Sequence, residues 1–448
     1  MRFTNILIKD DEESWVGSNT YVNSCTVDRT GNKKLVFILC DNTIATVKAY
    51  LEQIGNGHAV SLLDSKLDER LIQELIKVYQ PNLIYRNFDK DKSSLIALKI
   101  HDNNLNLHPE LALLLPTSGT TGSPRFVRLS YENLNSNAAA IAEYLELTPK
   151  ERPLLHLPLH YSFGLSILNS HLLTGSTILL TQHTVMQREF WNRMQEEQVT
   201  SLAGVPYTFE MLDRLRFERK KLPSLKTLTQ AGGKLRPALV EKFGKLCQER
   251  EMRFFVMYGQ TEASPRISYL PPDMVLAKPD SIGKPIPGGR WWVEDEAGVR
   301  LAPGELGELV YQGPNVMMGY AESQADLALP DQMEGILRTG DLAVLDESGM
   351  ALITGRKKRM IKVFGNRVGL DELEQLLARQ NITAYCVGQE DRIEIALDPE
   401  SKEATDARHV ASLLGLHPSA IQVFRPMSIP LKNSGKVDYP TLAQQLRS

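Results

Sequence analysis

The chain has 448 residues, with 51 Lys plus Arg against 54 Asp plus Glu, which gives a formal net charge of −3 at pH 7. A chain of this length predicts two or more domains, and the near balance of charges argues against a large nucleic-acid interface. Its four cysteines form no CxxC pair, and no apolar run is long enough for a membrane span or a signal peptide. We therefore expect a cytoplasmic protein that binds no nucleic acid and has no membrane span.

Strand-like and helix-like segments alternate from the N-terminus to about Asp280. The segments that predict buried strands are KLVFILC (34–40), HAVSLLD (58–64), PNLIYR (81–86), STILLT (176–181), VTSLAGVP (199–206), LKTLTQAGG (225–233) and RFFVMYG (253–259). One of the amphipathic segments begins after Ser130, a residue type that caps helix N-termini, and its Leu134, Ala138 and Ile141 share one face. The alternation predicts an α/β fold in which helices cover parallel sheets.

The composition changes after about Asp280. Residues 280–356 are rich in Gly and Pro and contain short β-type segments, which predicts a small β-barrel. The strand and helix patterns in 357–448 suffice for one small α+β domain. We therefore predict a large N-terminal domain (1–356) of stacked parallel-sheet α/β subdomains plus the barrel, followed by a small mobile α+β C-terminal domain (357–448).

A loop rich in Ser, Thr and Gly, TSGTTGSPR, follows an apolar strand at residues 117–125. Glycines allow a backbone to approach a phosphate closely, hydroxyls add hydrogen-bond donors, and Arg125 adds positive charge. The spacing is not that of a Walker A loop, GxxxxGK[ST]. The alternative interpretation of this loop is a flexible hairpin. The other motifs have to decide between a phosphate-binding loop and such a hairpin.

Further motifs follow along the chain, namely QAGGKL (230–235), YGQTE (258–262), RTGDLA (338–343), ITGRKKRMIKVFGNRV (353–368) and PLKNSGKVDYPTL (430–442). Some are ordinary when read alone, since QAGGKL fits any strand-to-helix turn and a lysine in a Gly-Ser turn is normally just exposed. Glu262 offers the hard carboxylate that Mg²⁺ prefers, and Asp341 can accept two hydroxyl hydrogen bonds.

In number and order these motifs resemble those of the acyl-adenylate-forming (AMP-binding) superfamily, which includes acyl-CoA synthetases, peptide-synthetase adenylation domains and luciferases. The resemblance runs from about Leu35 to the end of the chain. It implies ATP-dependent activation of a carboxylic acid to an acyl-adenylate with release of pyrophosphate, followed by transfer to a phosphopantetheine thiol of CoA or of an acyl carrier protein. The family usually ends the phosphate loop in Lys, whereas this chain has Arg125, a fork-shaped donor in place of a point charge.

The resemblance implies roles for residues of the first half-reaction. Lys436 would stabilise charge on the α-phosphate, and Glu262 with Thr121 would bind Mg²⁺. The residues expected to bind ATP are Thr117, Ser118, Gly119, Thr120, Thr121, Gly122, Arg125, Gly232, Gly233, Tyr258, Gly259, Thr261, Asp341 and Arg356.

For the second half-reaction, the resemblance implies rotation of the small domain about Lys358 as the hinge. Lys436 then leaves the site, and the stretch around Lys362 and Gly365 lines a tunnel for the pantetheine arm. Lys362 is therefore expected to be catalytic in thioester formation. A plain β-turn glycine is the alternative interpretation of Gly365.

The segment LPLHYSFGLSIL (157–168) resembles the family's acyl-pocket lining. The pocket residues expected from the resemblance are His160, Tyr161, Phe163, Gly204, Tyr207 and Met257, although His160 fits a buried core histidine equally well. The segment lacks the aspartate with which peptide-synthetase domains pair an α-ammonium, so a plain α-amino acid is disfavoured and an aliphatic, hydroxylated or aromatic acid is favoured. The alternatives are a stand-alone amino-acid adenylating carrier-protein ligase and an inactive nucleotide-binding scaffold.

Overall fold

The computed structural model describes residues 6–17, 32–87, 95–102, 104–116, 125–363, 366–389, 391–401, 403–414, 416–432 and 436–447. The α-helices within these residues are α1 (Ile44–Gly55), α2 (Glu69–Tyr79), α3 (Tyr131–Tyr144), α4 (Ser162–Thr174), α5 (Arg188–Glu196), α6 (Pro206–Arg214), α7 (Pro237–Glu249), α8 (Leu370–Ala378), α9 (Ala407–Leu414) and α10 (Tyr439–Arg447).

The strands fall into two sets, those that precede the Gly- and Pro-rich region and those within or after it. The first set is β1 (Ile6–Lys9), β2 (Ser14–Gly17), β3 (Leu35–Cys40), β4 (Ala59–Asp64), β5 (Leu83–Arg86), β6 (Ile96–Lys99), β7 (Leu111–Pro116), β8 (Phe126–Ser130), β9 (Pro153–Leu155), β10 (Ile178–Leu180), β11 (Ser201–Gly204), β12 (Thr227–Gln230), β13 (Arg253–Gly259) and β14 (Arg266–Leu270). The second set is β15 (Lys284–Pro285), β16 (Arg290–Glu294), β17 (Leu306–Gln312), β18 (Gly319–Ala321), β19 (Ile336–Leu345), β20 (Ala351–Arg356), β21 (Met360–Val363), β22 (Asn366–Gly369), β23 (Ala384–Gln389), β24 (Arg392–Leu397) and β25 (Ile421–Phe424).

The chain divides into two compact units, and each unit is made of two separate stretches of sequence. Unit 1 comprises Met1–Trp291 and Tyr311–Leu337, and unit 2 comprises Trp292–Val310 and Arg338–Ser448. Unit 2 therefore includes part of the Gly- and Pro-rich region together with the C-terminal residues. A mobile domain that begins at residue 357 stays a prediction.

Two large sheets form the frame of unit 1. One has the strand order β15-β14-β13-β12-β11-β9-β10-β1-β2 and the other β18-β8-β7-β4-β3-β5-β6. Strands β9 to β13 pair in parallel, as do β3, β4, β5 and β7. The prediction of parallel sheets with helices is confirmed. Since parallel strands end at the same edge of a sheet, the segments after β11, β12 and β13 are brought together there.

Helix α3 shows how local sequence fixes an element against this frame. Ser130 caps its N-terminus, because the Ser130 hydroxyl accepts from the Asn133 backbone N–H and the Asn133 side chain accepts from the Ser130 N–H. The predicted cap is confirmed, and such a cap contributes about 1 kcal/mol to helix stability. Leu134, Ala138 and Ile141 are all buried, so the predicted face of the helix is its core face.

Most of unit 2 consists of short sheets and helices, as expected for an α+β arrangement. The region expected to form a small barrel contributes a four-stranded sheet, β16-β17-β19-β20. A two-stranded sheet, β21-β22, and a three-stranded sheet, β23-β24-β25, follow. Apolar side chains of α8, β23, β24 and α9 form the core of this part.

The helices and the cysteines of the described residues bear on the class of protein. None of the helices in the described ranges is both long enough and apolar enough to cross a membrane. The cysteines that the structure describes, Cys40, Cys247 and Cys386, are buried and free. These thiols therefore act as core packing groups.

Candidate active site

Three side chains of unit 1, Arg125, Tyr320 and Glu262, are joined by direct contacts. Glu262 lies in a turn, Thr261–Ala263, just after β13. The Tyr320 hydroxyl donates to Glu262 Oε1 at 2.9 Å, and the Arg125 guanidinium stacks on the Tyr320 ring, 3.7 Å from its centroid. The expected phosphate-binding cation and the expected Mg²⁺ ligand thus share one tyrosine.

Sheet pairing explains why this tyrosine meets both groups. Arg125 directly precedes β8, and β8 pairs with β18 so that Val127 lies opposite Tyr320. Burial and the Glu262 carboxylate raise the pKa of Tyr320, so the phenol stays protonated and donates. Sequence reasoning missed Tyr320 because the pairing joins segments that are far apart in the chain.

We expect Tyr320→Phe to raise the Mg²⁺ concentration needed for half-maximal adenylation about tenfold, because the phenol orients the Glu262 carboxylate. Outer partners of metal ligands typically contribute about 10- to 100-fold in affinity or activity. A Mg²⁺ titration of acid-dependent pyrophosphate exchange measures this. Lower activity with an unchanged Mg²⁺ requirement would mean that Tyr320 is only a packing group.

Most of the Ser-, Thr- and Gly-rich loop at residues 117–125 lies outside the described residues. The roles expected for six of its residues therefore stay predictions: Thr117, Ser118, Gly119, Thr120, Thr121 and Gly122. The strands on either side are described, and Pro116 at the end of β7 pairs with Phe126 at the start of β8. Arg125 also lies 4.0 Å from the exposed carboxylate of Glu322.

Tyr258 and Gly259 end β13, and the structure gives a steric reason for the glycine. A Cβ atom on Gly259 would lie 1.9 Å from the backbone carbonyl oxygen of Pro265. The strand pairing is also irregular between Tyr258 and Gly259. The YGQTE segment therefore requires glycine for its fold, whatever it binds.

We expect Gly259→Ala to destabilise the protein by about 3 kcal/mol, since inserting a methyl group against fixed backbone typically costs 1–3 kcal/mol or more. Thermal unfolding, followed by circular dichroism, measures the change. Gly55→Ala is the matched control, because a Cβ atom there would meet nothing within 4 Å, and alanine is the better residue in a helix. Equal midpoints for the two variants would contradict the steric argument.

Gly232 and Gly233 form the turn after β12. Gly232 has φ +85°, and a Cβ atom there would lie 2.5 Å from the Tyr161 hydroxyl. The buried Gln230 side chain donates to the Gly233 carbonyl at 2.8 Å, which holds the turn in place. The positive φ and the close Tyr161 hydroxyl give a structural reason for glycine at position 232, and the adenine contact stays a prediction.

The residues expected to line an acyl pocket occupy the start of α4 and the ends of two strands. Phe163 and Met257 line a cavity between α3, α4 and the sheet. Tyr207 is 57% exposed. Gly204 ends β11, and a Cβ atom there would lie 2.8 Å from the Thr208 side chain. The structure thus brings Phe163 and Met257 together, and the other pocket assignments stay predictions.

His160 lies just before α4, with Nε2 3.8 Å from the Asp64 carboxylate. Burial lowers the pKa of His160, and the charge of Asp64 raises it. Its Nδ1 is buried and has no hydrogen-bond partner among the residues described. The buried-histidine interpretation and the acyl-gate interpretation both stay open.

In unit 2, Asp341 and Arg356 lie opposite each other on β19 and β20. Arg356 Nε is 3.0 Å from Asp341 Oδ1, and the Asp341 side chain is 4% exposed. A carboxylate has lone pairs enough to accept hydroxyl donors in addition to the Arg356 contact. The two residues that the resemblance assigns to ribose or phosphate therefore form one polar site.

Lys436 belongs to the same electrostatic neighbourhood in unit 2. A backbone hydrogen bond of 2.7 Å joins the Lys432 N–H to the Lys436 carbonyl. Partial burial lowers the pKa of Lys436, Arg356 lowers it further and Asp341 raises it. Lys436, from the last motif, and the Asp341–Arg356 pair thus lie close enough for their charges to interact.

The predicted hinge, Lys358, lies in a short turn, Lys357–Arg359, between β20 and β21. The backbone of Lys358 and of Lys362 is described but their side chains are not, and Gly365 lies outside the described residues. Neighbouring groups fix the turn, since the Arg356 N–H donates to Asp371 Oδ2 at 2.8 Å. The hinge and tunnel roles stay predictions.

Arg359 connects this turn to two helices. It pairs with Asp371 and, at 2.6 Å, with Glu374 of α8, and its guanidinium lies 3.6 Å from the Tyr439 ring centroid. Tyr439 begins α10, and its hydroxyl donates to Glu374 at 2.9 Å. Tyr439 lies within the last motif, PLKNSGKVDYPTL, and the structure makes it a contact residue between α8 and α10.

The chain is similar to several known proteins. A family model described as "AMP-binding enzyme" matches residues 29–321. The 2-succinylbenzoate–CoA ligase of Bacillus licheniformis is 32% identical over 270 residues, which cover 60% of this chain and 54% of the ligase. Tyrocidine synthase 2 of Brevibacillus parabrevis is 27% identical over 378 residues, 78% of this chain and 10% of the synthase. The chain therefore aligns with about half of the ligase and a small part of the synthase.

The fold is shared with the O-succinylbenzoate coenzyme A synthetase of Bacillus subtilis. Its complex with AMP superposes with a TM-score of 0.76 at 23% identity, over 98% of this chain and 95% of that one. Its complex with ATP and magnesium gives a TM-score of 0.72 at 21% identity, over 99% and 97% of the two chains.

Proposed function

Because the chain belongs to the AMP-binding enzyme family, we propose that it is an AMP-forming ligase that activates a carboxylic acid with ATP and passes the acyl group to a thiol. The contact of Arg125 and Glu262 with Tyr320 is the observation that carries the proposal. Arg125, which ends the loop at residues 117–125, and Glu262, a carboxylate suited to Mg²⁺, contact the same tyrosine, and this supports our assignment of both to one metal–triphosphate.

The first half-reaction makes a poor electrophile reactive. A carboxylate oxygen attacks the α-phosphorus of ATP, the bond to the β-phosphate breaks, and acyl-adenylate and pyrophosphate form. Negative charge grows on the α-phosphate oxygens, and we assign its stabilisation to Lys436, since such positioned charges dominate phosphate chemistry. The assignment of Lys436 and Glu262 to one ATP comes from the family resemblance.

Mg²⁺ fits the residues present, because it keeps several waters and takes one or two carboxylates plus phosphate oxygens. Glu262 supplies one carboxylate held by Tyr320, and Thr121 is the proposed second ligand. When bound, the metal neutralises phosphate charge. No group of three or more His, Cys, Asp or Glu that could hold a metal by itself occurs in the described part of the chain.

In the second half-reaction a thiol attacks the acyl carbon, AMP leaves, and a thioester forms. We propose CoA as the acceptor, supported by the CoA ligase among the relatives, with Lys362 and Gly365 beside the pantetheine arm. The peptide synthetase among the relatives makes a carrier protein the alternative acceptor. The free cysteines support our placement of the enzyme in a reducing, cytoplasmic compartment.

Acid-dependent exchange of labelled pyrophosphate into ATP tests the first half-reaction. We expect exchange that requires Mg²⁺ and one class of acid from a broad panel. Binding of ATP without exchange for any acid would contradict the proposal and indicate a nucleotide-binding scaffold. With an active acid, thioester formation on free CoA or on holo carrier protein then identifies the acceptor.

A further inference from the structure

The cavity that contains Phe163 and Met257 holds two buried polar groups with unused hydrogen-bonding atoms. It lies in unit 1 between α3, α4 and strands β9, β11, β12 and β13, and it encloses about 30 Å³. A water needs about 10–15 Å³, so the cavity has room for about two waters, which is the size of one carboxylate group. Its lining area is mainly apolar, but the lining includes the cation Arg266, the carboxylate residue Glu151, His171 and several hydroxyl residues, among them Ser166. Glu151 already accepts from the Thr200 hydroxyl.

Arg266 is a cation without a matching anion. It is 3% exposed, and no carboxylate lies within 4.0 Å of it in the ranges that the structure describes. The Arg266 side chain donates one long hydrogen bond, from Nη2 to Ser166 Oγ at 3.4 Å. The guanidinium carbon, Cζ, lies 4.8 Å from the centroid of the Phe163 ring. Its Nε is buried and makes no hydrogen bond to a described residue. Burying a charge without a partner costs several kcal/mol.

His171 is the second such group. Its Nδ1 donates to the Ile167 carbonyl at 2.8 Å, and burial lowers the pKa of His171 to about 4, so the ring is neutral and Nε2 is an acceptor. Nε2 is buried and unpaired with respect to the described residues. An Nε2 acceptor can meet only a donor, so Arg266, and not His171, is the lining group suited to an anion.

The position of Arg266 connects this cavity with the candidate nucleotide site. Its backbone lies opposite Gly259 in the β13–β14 pairing. Ser162 and Ser166 follow one another on the same face of α4, and Ser162 Oγ lies 3.2 Å from Thr261 Oγ1. Ser166, the contact of Arg266, follows Ser162 by one helical turn, a rise of about 5.4 Å along α4.

We propose that the acid substrate carries a second anionic group, besides the carboxylate that is activated, and that this group binds Arg266. The inference rests on the proposed function and names its substrate class. A compact second carboxylate fits the space and supplies the guanidinium with the bidentate partner that it lacks. Arg266 is then a specificity-determining residue, and an α-ammonium at this place would meet a like charge.

Pyrophosphate exchange with matched acids tests the proposal. The probes are straight-chain and aromatic diacids, each against its half-amide and the monoacid of equal length. We expect the wild-type protein to prefer the best diacid over its half-amide about 10- to 100-fold in kcat/KM, as for a charge-assisted hydrogen bond. Arg266→Gln should remove this preference while leaving kcat/KM for monoacids within about threefold, and Arg266→Lys should keep part of it.

Arg253→Gln is the control, since Arg253 lies at the opposite end of β13 and pairs with Glu146 on the surface. It should keep the wild-type preference. Exchange that runs equally well with monoacids and diacids in the wild-type protein would overturn this inference and leave the proposed function standing. Equal loss for monoacids and diacids in Arg266→Gln would also overturn it, because Arg266 would then hold the reacting carboxylate. No exchange with any acid would overturn both.

Discussion

Lys436→Ala is expected to slow acyl-adenylate formation about a hundredfold or more, while thioester formation from preformed acyl-adenylate stays nearly intact. Removing one donor that stabilises transition-state charge typically costs about 10²- to 10³-fold. The charges of Arg356 and Asp341 act on the Lys436 ammonium. Lys436 therefore lies near groups assigned to the nucleotide, and its exposed side chain is accessible to a ligand.

The two half-reactions are measured separately, by pyrophosphate exchange with an active acid and by reaction of synthetic acyl-adenylate with CoA. Lys432→Ala is the matched control, since this lysine belongs to the same short bridge, Leu431 to Val437, and has no assigned role. It should retain most of the exchange rate. Equal damage to both half-reactions in Lys436→Ala would contradict the role in adenylation.

Glu262→Gln is expected to lower the rate of pyrophosphate exchange about 10²- to 10³-fold. This is the typical effect of removing one group that stabilises charge in the transition state. Glutamine keeps an oxygen that can accept from the Tyr320 hydroxyl, which now lies 2.9 Å from Glu262, so the local fold should hold. What is lost is the negative charge that a hard cation prefers. Raising Mg²⁺ should recover part of the lost rate.

A Mg²⁺ titration of wild type and variant measures this effect. Glu322→Gln is the control, because Glu322 also faces Arg125, at 4.0 Å, but its side chain is 73% exposed. An exposed pair of this kind contributes little, so that variant should titrate as the wild type does. A Glu262→Gln protein with normal Mg²⁺ dependence would remove Glu262 from the metal site.

The sequence allowed the fold and several site residues to be predicted because the relevant signals are local. The alternation of strands and helices and the cap at Ser130 depend on neighbouring residues, and both are confirmed. Tyr320 and Arg266 could not be found in this way. Their significance comes from strand pairing and burial, which bring them to Glu262 and to the cavity across long stretches of chain.

Long-range contacts also define the two units and the setting of Tyr439. A change in composition near Asp280 is a local signal, whereas contacts far apart in the sequence group Trp292–Val310 with the C-terminal residues. Tyr439 lies within the last motif, and its local sequence assigns it no contact. Its contacts with Arg359 and Glu374 require knowledge of which helix packs near the turn.

Asp371 holds residues on both sides of the predicted hinge. Its carboxylate pairs with Arg359 after the hinge and accepts from the Arg356 N–H before it. A rotation about Lys358 stays a prediction, and in this structure it would have to break the contact between Asp371 and Arg356. That one carboxylate is therefore the latch that such a motion would have to release.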